Sequence, residues 1–243
     1  MIKEILSVNN SVVKETVKLH QKKYREKLIL IEGKKAVDEA ILAGLKIKYI
    51  FTREETEFKN IDTYFVNEAV MKKISTTESP VNIAAIAFKP EYNLEDFKKF
   101  KKITLLDNIK DAGNLGTIIR ASCAFGADGI LLFNDTVDEF SPKVIRASTG
   151  NIFKIPIKKI SLKELIEFKK NFKFIATVVN SDKDLNNFKN NGNLIVMFGS
   201  EADGLCNGLL NLADEKLTVK MSNNVESLNL ALCAGIVLYK LQD

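Results

Sequence analysis

The 243-residue sequence contains a single histidine, His20, and only three cysteines. One histidine excludes a catalytic triad centred on histidine, and it excludes a zinc site held by several histidines. Cys123, Cys206 and Cys233 are far apart and form no C-x-x-C pair. They are therefore predicted to be buried thiols rather than metal ligands or a redox pair. Any chemistry must come from other polar residues.

The sequence also lacks a long apolar run, so no transmembrane helix is expected. Its first residues, MIKEILSVNNSVVKE, carry charges where a signal peptide requires an apolar core, and the protein is predicted to be cytoplasmic. Hydrophobic residues make up 46% of the chain, which is sufficient for one large domain or two smaller ones. The net charge of +5 permits a nucleic-acid partner but does not establish one.

A basic amphipathic segment occupies residues 9–27, where Asn10 or Ser11 can cap a helix with Val13 and Val17 on its apolar side. Its positive residues include Lys14, Lys18, Lys22, Lys23 and Arg25. The first three are spaced four residues apart, so they are predicted to stack along one helix face. That face is either a solvated surface or a phosphate-contacting one, and the segment alone favours neither.

Short apolar strands alternate with helices in both halves of the chain. Between residues 28 and 88 this alternation predicts a small α/β unit, and the polar run at 91–102 predicts a linker. From residue 103 onward, five or six short apolar strands are separated by helical segments. Fully apolar strands in that arrangement indicate a parallel α/β sheet. The second half is therefore predicted to be a separate α/β domain.

Polar residues crowd where these strands end and helices begin, which is where α/β sheets bind ligands. In NLGTIIRASCAFG, Gly113 and Gly116 bracket Asn114 in a predicted glycine turn, and Arg120 follows inside a helix. The turn lacks the third glycine of a dinucleotide fingerprint and the G-K-[ST] of a P-loop. A nucleotide-cofactor oxidoreductase on a doubly wound sheet is therefore disfavoured.

Two further stretches show the same pattern near the end of the sequence. In FGSEADG, Gly199 and Gly204 bracket a predicted sharp turn that contains Glu201. In VESLNL, Ser227 is predicted to cap the final helix, with Asn229 in its first turn. Each stretch by itself could be an ordinary turn or helix cap.

In this order and spacing, N-L-G-T-I-I-R-A, F-G-S-E-A-D-G-L and V-E-S-L-N resemble the three motifs of the SpoU/TrmH family of RNA 2′-O-ribose methyltransferases, in the SPOUT superfamily. SPKVIRASTGNIFKIPI is similar to the family's stretch between the first two motifs. The resemblance implies a SPOUT methyltransferase domain at 102–243. Residues 1–92 resemble, more loosely, the family's ribosomal-protein-like RNA-binding extension, through the basic opening helix and the strand, Glu32, Gly33 and helix passage.

The resemblance implies an α/β protein whose C-terminal parallel sheet is threaded into a deep trefoil knot, preceded by a small α/β RNA-binding domain. It implies S-adenosylmethionine as cofactor, a homodimer formed through the knotted domain, and methyl transfer to a ribose 2′-hydroxyl of structured RNA. A separate RNA-binding domain favours ribosomal RNA. The alternatives are a transfer-RNA 2′-O-methyltransferase and a non-catalytic RNA-binding assembly factor with the same fold.

The motifs also imply roles for particular residues. The polar positions near the reacting groups are Arg120, Asn114, Glu201, Ser227 and Asn229. The positions that would line the cofactor pocket are Gly199, Val219, Met221 and Leu228. No metal is implied. With an RNA substrate, the basic residues Lys14, Lys18, Lys22, Lys23 and Arg25 are expected to contact phosphates.

The sequence departs from the family pattern at two positions. Lys220 stands where the family usually has proline, and Ala231 stands where a serine is frequent. The first departure affects the loop that would close the cofactor pocket, and the second removes a hydroxyl.

Overall fold

The computed structural model describes residues 2–54, 56, 58–189, 192–222 and 227–242. The chain divides into two compact units. The first combines Met1–Glu91 with Asp138–Lys154, and the second combines Tyr92–Val137 with Ile155–Asp243. The segment 138–154 thus packs with the first unit although it lies within the range predicted for the methyltransferase domain.

The first unit is built on a five-stranded mixed sheet with the order β1-β4-β3-β5-β2. Its strands are β1 (Ile2–Ile5), β2 (Leu28–Glu32), β3 (Ile47–Thr52), β4 (Thr63–Val66) and β5 (Ile83–Phe88). β4 lies parallel to both β1 and β3, whereas β5 is antiparallel to β2 and β3. The sequence predicts each of these strands except β1, a short edge strand whose two central residues are charged.

Three helices cover this sheet: α1 (Ser11–Lys18), α2 (Lys34–Leu42) and α3 (Glu68–Ile74). Asn10 caps α1 by accepting a hydrogen bond from the backbone N–H of Val12, which confirms one of the two predicted caps. The helix ends at Lys18, so Lys22 and Lys23 lie in a separate 3-10 turn rather than on the same helix face.

Arg25 does not belong to the basic surface, contrary to the expectation from sequence. Its side chain is only 6% exposed. The guanidinium donates to the Asp138 carboxylate at 2.7 Å and to the carbonyl of Leu19 at 2.6 Å. A buried charge requires such partners. Arg25 therefore ties the segment 138–154 to the rest of the first unit.

A second buried acid holds the helix α6 (Pro142–Ala147) of that segment. The Glu32 carboxylate is fully enclosed and accepts hydrogen bonds from the Thr76 backbone N–H at 2.7 Å and from the Arg146 guanidinium. Gly150 follows in a left-handed conformation, with φ of 80°, and its backbone passes against Glu39 of α2. Glu32, one of the cues for the N-terminal domain, thus has a structural role.

The second unit contains a six-stranded, all-parallel sheet with the order β11-β9-β10-β6-β7-β8. Its strands are β6 (Lys102–Asp107), β7 (Gly129–Phe133), β8 (Ile157–Lys159), β9 (Lys173–Thr177), β10 (Leu194–Phe198) and β11 (Glu215–Leu217). Every residue of β6, β7 and β10 is buried. This explains their continuous apolar runs and confirms the predicted parallel sheet.

The helices of the second unit are α4 (Leu94–Phe97), α5 (Ala112–Ala124), α7 (Leu162–Phe168), α8 (Asn207–Leu212) and α9 (Leu230–Lys240). α5 and α9 pack together, with the rings of Phe125 and Tyr239 5.6 Å apart. A core of aromatic and aliphatic side chains from α4, α7, α8 and the strands fills one face of the sheet. None of the helices in the described part of the chain is long and apolar enough to cross a bilayer.

Candidate functional site

A cavity of about 370 Å³ opens at the carboxyl ends of the parallel strands in the second unit. Its wall is formed by the end of β9, by the segments that follow β9, β10 and β11, and by residues of α8 and α9. The volume lies within the usual range for small-molecule sites, about 300–1,000 Å³. The position agrees with the general rule for ligand sites in parallel α/β sheets.

The segment after β10 forms a tight turn in one wall of this cavity. The backbones of Ser200 and Gly204 exchange hydrogen bonds of 3.0 and 3.1 Å, and Gly204 has a φ of 67°. A methyl group on Gly199 would lie 2.0 Å from the carbonyl carbon of Gly204 and 2.2 Å from the nitrogen of Leu205. Only glycine therefore fits at position 199, and the predicted turn between the two glycines is confirmed.

Asn229 joins all three sequence motifs through its side-chain amide. Its Nδ2 donates to Oδ1 of Asn114 at 3.1 Å and to Oε1 of Glu201 at 3.0 Å. Glu201 Oε1 also accepts from the backbone N–H of Leu230 at 3.3 Å. β6 precedes Asn114 and β10 precedes Glu201, and these strands are hydrogen-bonded neighbours, so both residues reach the same edge of the sheet. The structure therefore gathers the motifs into one hydrogen-bonded cluster.

The final helix is capped by Asn229 and not by Ser227, which corrects the prediction. Asn229 Oδ1 accepts from the backbone N–H groups of Ala231 and Leu232 at 3.0 and 3.2 Å. Ser227 lies two residues earlier, in the cavity wall. Because one amide has both a donor and an acceptor end, Asn229 can cap α9 and bind Glu201 at the same time.

The predicted glycine turn around Asn114 is also wrong, because these residues are helical. Asp111 is the N-cap of α5, and its carboxylate accepts from the backbone N–H of Asn114 at 2.8 Å. Gly113 and Asn114 consequently lie in the first turn of α5. The strong cap, an Asp three residues before Asn114, is the signal in the sequence that places the helix start there.

The predicted cofactor positions Gly199, Val219, Met221 and Leu228 all line the cavity. β11 ends at Leu217, and Val219 and Met221 follow it in irregular backbone. Val225 and Glu226 of the third motif lie outside the described residues. Val178 and Val179 contribute further apolar surface that the motifs did not indicate.

Arg120 lies on the exposed side of α5 and is not among the residues that line the cavity. Within the described ranges, no carboxylate or other acceptor pairs with its guanidinium. An exposed guanidinium without an ion-pair partner is available to bind an anion.

Asp107 is a site residue whose role the sequence did not reveal. It ends β6, is almost fully buried, and accepts hydrogen bonds from the Asn134 side chain at 2.7 Å and from the Cys206 backbone N–H at 2.8 Å. Asn134 follows the neighbouring strand β7, and Cys206 ends the cavity-wall turn after β10. One carboxylate thus connects the segments after three adjacent strands.

The thiols of Cys123, Cys206 and Cys233 are half-buried. Cys233 lies on α9 and lines the cavity. Burial raises the pKa of its thiol, so at neutral pH the group is uncharged and behaves as an apolar contact.

Four of the predicted RNA-contacting residues, Lys14, Lys18, Lys22 and Lys23, are exposed on the first unit. The ammonium of Lys23 lies 5.0 Å from the ring centre of the exposed Tyr24. These lysines remain candidates for phosphate contacts, whereas the buried Arg25 does not.

Residues 101–239 match the SpoU rRNA Methylase family, which covers more than half of the chain. The chain belongs to the SpoU rRNA methylase family. Residues 10–85 match a further model, the MRM3-like substrate binding domain. The family match spans all three motifs, and the second match spans the basic helix α1 and most of the first sheet.

Full-length relatives have the same organisation. The chain is 32% identical over 250 residues to the 23S rRNA (guanosine(2553)-2'-O)-methyltransferase RlmP of Bacillus subtilis, covering 99% of this chain and 100% of that protein. The AdoMet-bound rRNA methyltransferase from Sinorhizobium meliloti superposes with a TM-score of 0.90 at 30% identity, over 98% and 97% of the two chains. An RNA 2'-O ribose methyltransferase structure gives a TM-score of 0.83 at 28% identity, over 98% and 97%.

Substitution of Gly199 tests the tight wall of the cavity. Gly199→Ala is expected to lower the free energy of unfolding by about 1–3 kcal/mol, because a methyl group forces the backbone at Gly204 and Leu205 apart. Gly208→Ala in α8 is the matched control, since its nearest neighbour would lie 3.5 Å away. Denaturant unfolding of both variants measures the difference. Equal stabilities for the two would contradict the steric argument.

Substitution of Asp107 tests the buried carboxylate. Asp107→Ala leaves two donors without an acceptor, at a cost of about 1–3 kcal/mol each. Asp107→Asn is expected to cost less, because its amide oxygen can accept from Cys206 while its amide nitrogen pairs with a rotated Asn134 amide. Thermal unfolding compares the two variants, and an Asn variant as unstable as the Ala variant would refute this arrangement.

Proposed function

We propose that this protein transfers a methyl group from S-adenosylmethionine to a ribose 2′-hydroxyl of ribosomal RNA. The observation that carries the proposal is the Asn114–Asn229–Glu201 cluster beside a small-molecule cavity. It is supported by the full-length similarity to a 23S rRNA 2′-O-methyltransferase and by the substrate-binding-domain match in the first unit. The proposal includes a cytoplasmic location, which a ribosomal RNA substrate supports.

The cavity fits S-adenosylmethionine in size and in lining. Val178, Val179, Val219 and Leu228 offer apolar surface for a flat base and an aliphatic chain, and the turn at Gly199 offers backbone groups close to the ligand. When bound, the cofactor supplies a methyl group on a sulfonium, which is already activated for transfer. Lys220 is exposed in the segment between Val219 and Met221, so the missing proline leaves these two lining residues in place.

The residues of this chain must position the ribose and assist proton loss. Alignment of the reacting atoms can contribute about 7–11 kcal/mol. Asn229 holds Asn114 and Glu201 in fixed positions, so they can orient the ribose hydroxyl. Arg120, whose guanidinium has no ion-pair partner among the described residues, binds the adjacent phosphate and stabilises the ribose 2′-oxygen as its proton is lost to solvent. Ser227 supplies a further hydroxyl in the cavity wall.

The proposal includes a trefoil-knotted second unit that forms a homodimer. Family membership and the full-length structural similarity to rRNA methyltransferases support the knot. α9 carries three exposed large apolar residues on one face, at i, i+4 and i+7: Leu232 (54%), Ile236 (36%) and Tyr239 (63%). A second copy of this chain would bury this stripe.

Methyl transfer from labelled S-adenosylmethionine to purified ribosomal and transfer RNA tests the activity. Label is expected in ribosomal RNA as a 2′-O-methyl group, and the first position to map is the one corresponding to guanosine 2553, which the B. subtilis relative modifies. Arg120→Ala is expected to lower kcat by about 100-fold or more while calorimetric cofactor affinity stays unchanged.

Lys99→Ala, which removes an exposed lysine of the second unit paired with Asp96, is the control for the loss of one positive charge. Label in transfer RNA alone would favour the transfer-RNA alternative. Cofactor binding without methyl transfer to either RNA would support the non-catalytic assembly factor.

A charge on the apolar stripe tests the homodimer. Ile236→Glu is expected to halve the molar mass in light scattering, because an unpaired carboxylate would be buried in the interface. Ile166→Glu, at an exposed apolar position on α7, is the matched control and should leave the mass unchanged. A monomeric wild-type protein at micromolar concentration would overturn the dimer.

A further inference from the structure

A groove lies between α1 and α3 of the first unit, which pack against each other. It encloses about 570 Å³ and is lined by Val8, Asn9, Lys14, Ala69, Lys72 and Lys73. Buried apolar residues of both helices, including Val13, Val70 and Met71, hold the two together. His20 Nε2 lies 2.7 Å from the carbonyl oxygen of Ile74, which joins the end of α3 to the segment after α1. The groove lysines, Lys14, Lys72 and Lys73, are therefore carried by two helices that are packed together.

The groove lysines are not neutralised within the described part of the chain. No carboxylate there lies within ion-pair distance of Lys14, Lys72 or Lys73. Glu68, the acid at the start of α3, pairs instead with Arg53 at 3.4 Å. Other lysines of the same unit have carboxylate partners, as Lys34 has with Asp38 and Lys154 with Glu39. Three positive groups at one groove repel each other, so an external anion would be stabilised there.

Helix stability explains the positions of only two of the three groove lysines. Lys72 and Lys73 lie in the last turn of α3, where a positive charge interacts favourably with the helix dipole. Lys14 lies near the N-terminal end of α1, where a positive charge gains nothing from the dipole. What Lys14, Lys72 and Lys73 have in common is that all three line the groove.

We propose that the α1–α3 groove binds the phosphodiester backbone of the substrate RNA, with Lys72 and Lys73 contacting phosphates together with Lys14. This assignment rests on the proposed RNA methyltransferase function and extends the predicted basic surface to a second helix. Lysine ammonium groups on flexible stems bind phosphates as point charges, without reading sequence. Val8 and Ala69 are the apolar residues of the lining, beside Asn9 and the three lysines.

The experiment compares full-length Lys72→Ala/Lys73→Ala with wild type on ribosomal RNA transcribed in vitro, and measures both binding and methylation. The RNA Kd and the KM for RNA are expected to rise about 10-fold at physiological salt, with kcat and the KM for S-adenosylmethionine unchanged. The slope of log Kd against log salt concentration should fall by about 1.4–1.8, since each lost phosphate contact removes about 0.7–0.9. Lys14→Ala removes one phosphate contact from the opposite helix, α1, so it should change this slope by about half as much.

Lys98→Ala/Lys99→Ala is the matched control, because it removes two adjacent lysines that are paired with Glu95 and Asp96. It should leave the RNA Kd and the salt slope close to wild type. Wild-type affinity and slope in the Lys72/Lys73 variant would overturn the groove assignment while leaving the methyltransferase function intact. Lost association with ribosomal particles but unchanged binding to naked RNA would assign the groove to an acidic protein surface and would also overturn it. Absence of methyl transfer by wild type would instead count against the proposed function, because RNA binding is measured separately.

Discussion

The side-chain amide of Asn229 is the interaction on which the arrangement of the site depends. Its oxygen caps α9, and its nitrogen binds Asn114 on α5 and Glu201 after β10. One group therefore fixes where the last helix begins and how two other segments meet it. No other residue type of that size offers a donor and an acceptor in these directions. An Asp would keep the cap but place a carboxylate against Glu201, with mutual repulsion.

A second constraint acts beneath this cluster, in the backbone and in one buried carboxylate. The absence of a side chain at Gly199 lets two stretches of backbone pass within van der Waals contact, and Asp107 holds the end of the same turn through Cys206. Both features position the cavity wall without contributing a reactive group. The chemistry therefore depends on residues that a search for catalytic side chains alone would miss.

The first unit uses its basic residues in two ways. Arg25 and Arg146 are paired with Asp138 and Glu32, and these ion pairs join the segment 138–154 to the first unit. The exposed lysines of α1 and α3 lack such partners among the described residues. Sequence composition cannot distinguish these uses. A basic residue contributes the same charge to the composition whether its partner is a distant acid of the same chain or a phosphate of another molecule.

The sequence alone determined the alternation of strands and helices, the parallel sheet and the family, because apolar periodicity and motif order are local properties of the chain. It also predicted Gly199, Glu201 and Asn229 as residues of one site, and all three line the same cavity. Tertiary structure alone decided that Asn229 rather than Ser227 caps α9, that Arg25 is buried, that Asp107 supports the cavity wall, and that Lys72 and Lys73 share a groove with Lys14. Each of these depends on contacts between residues far apart in sequence, and such contacts exist only once the chain has folded.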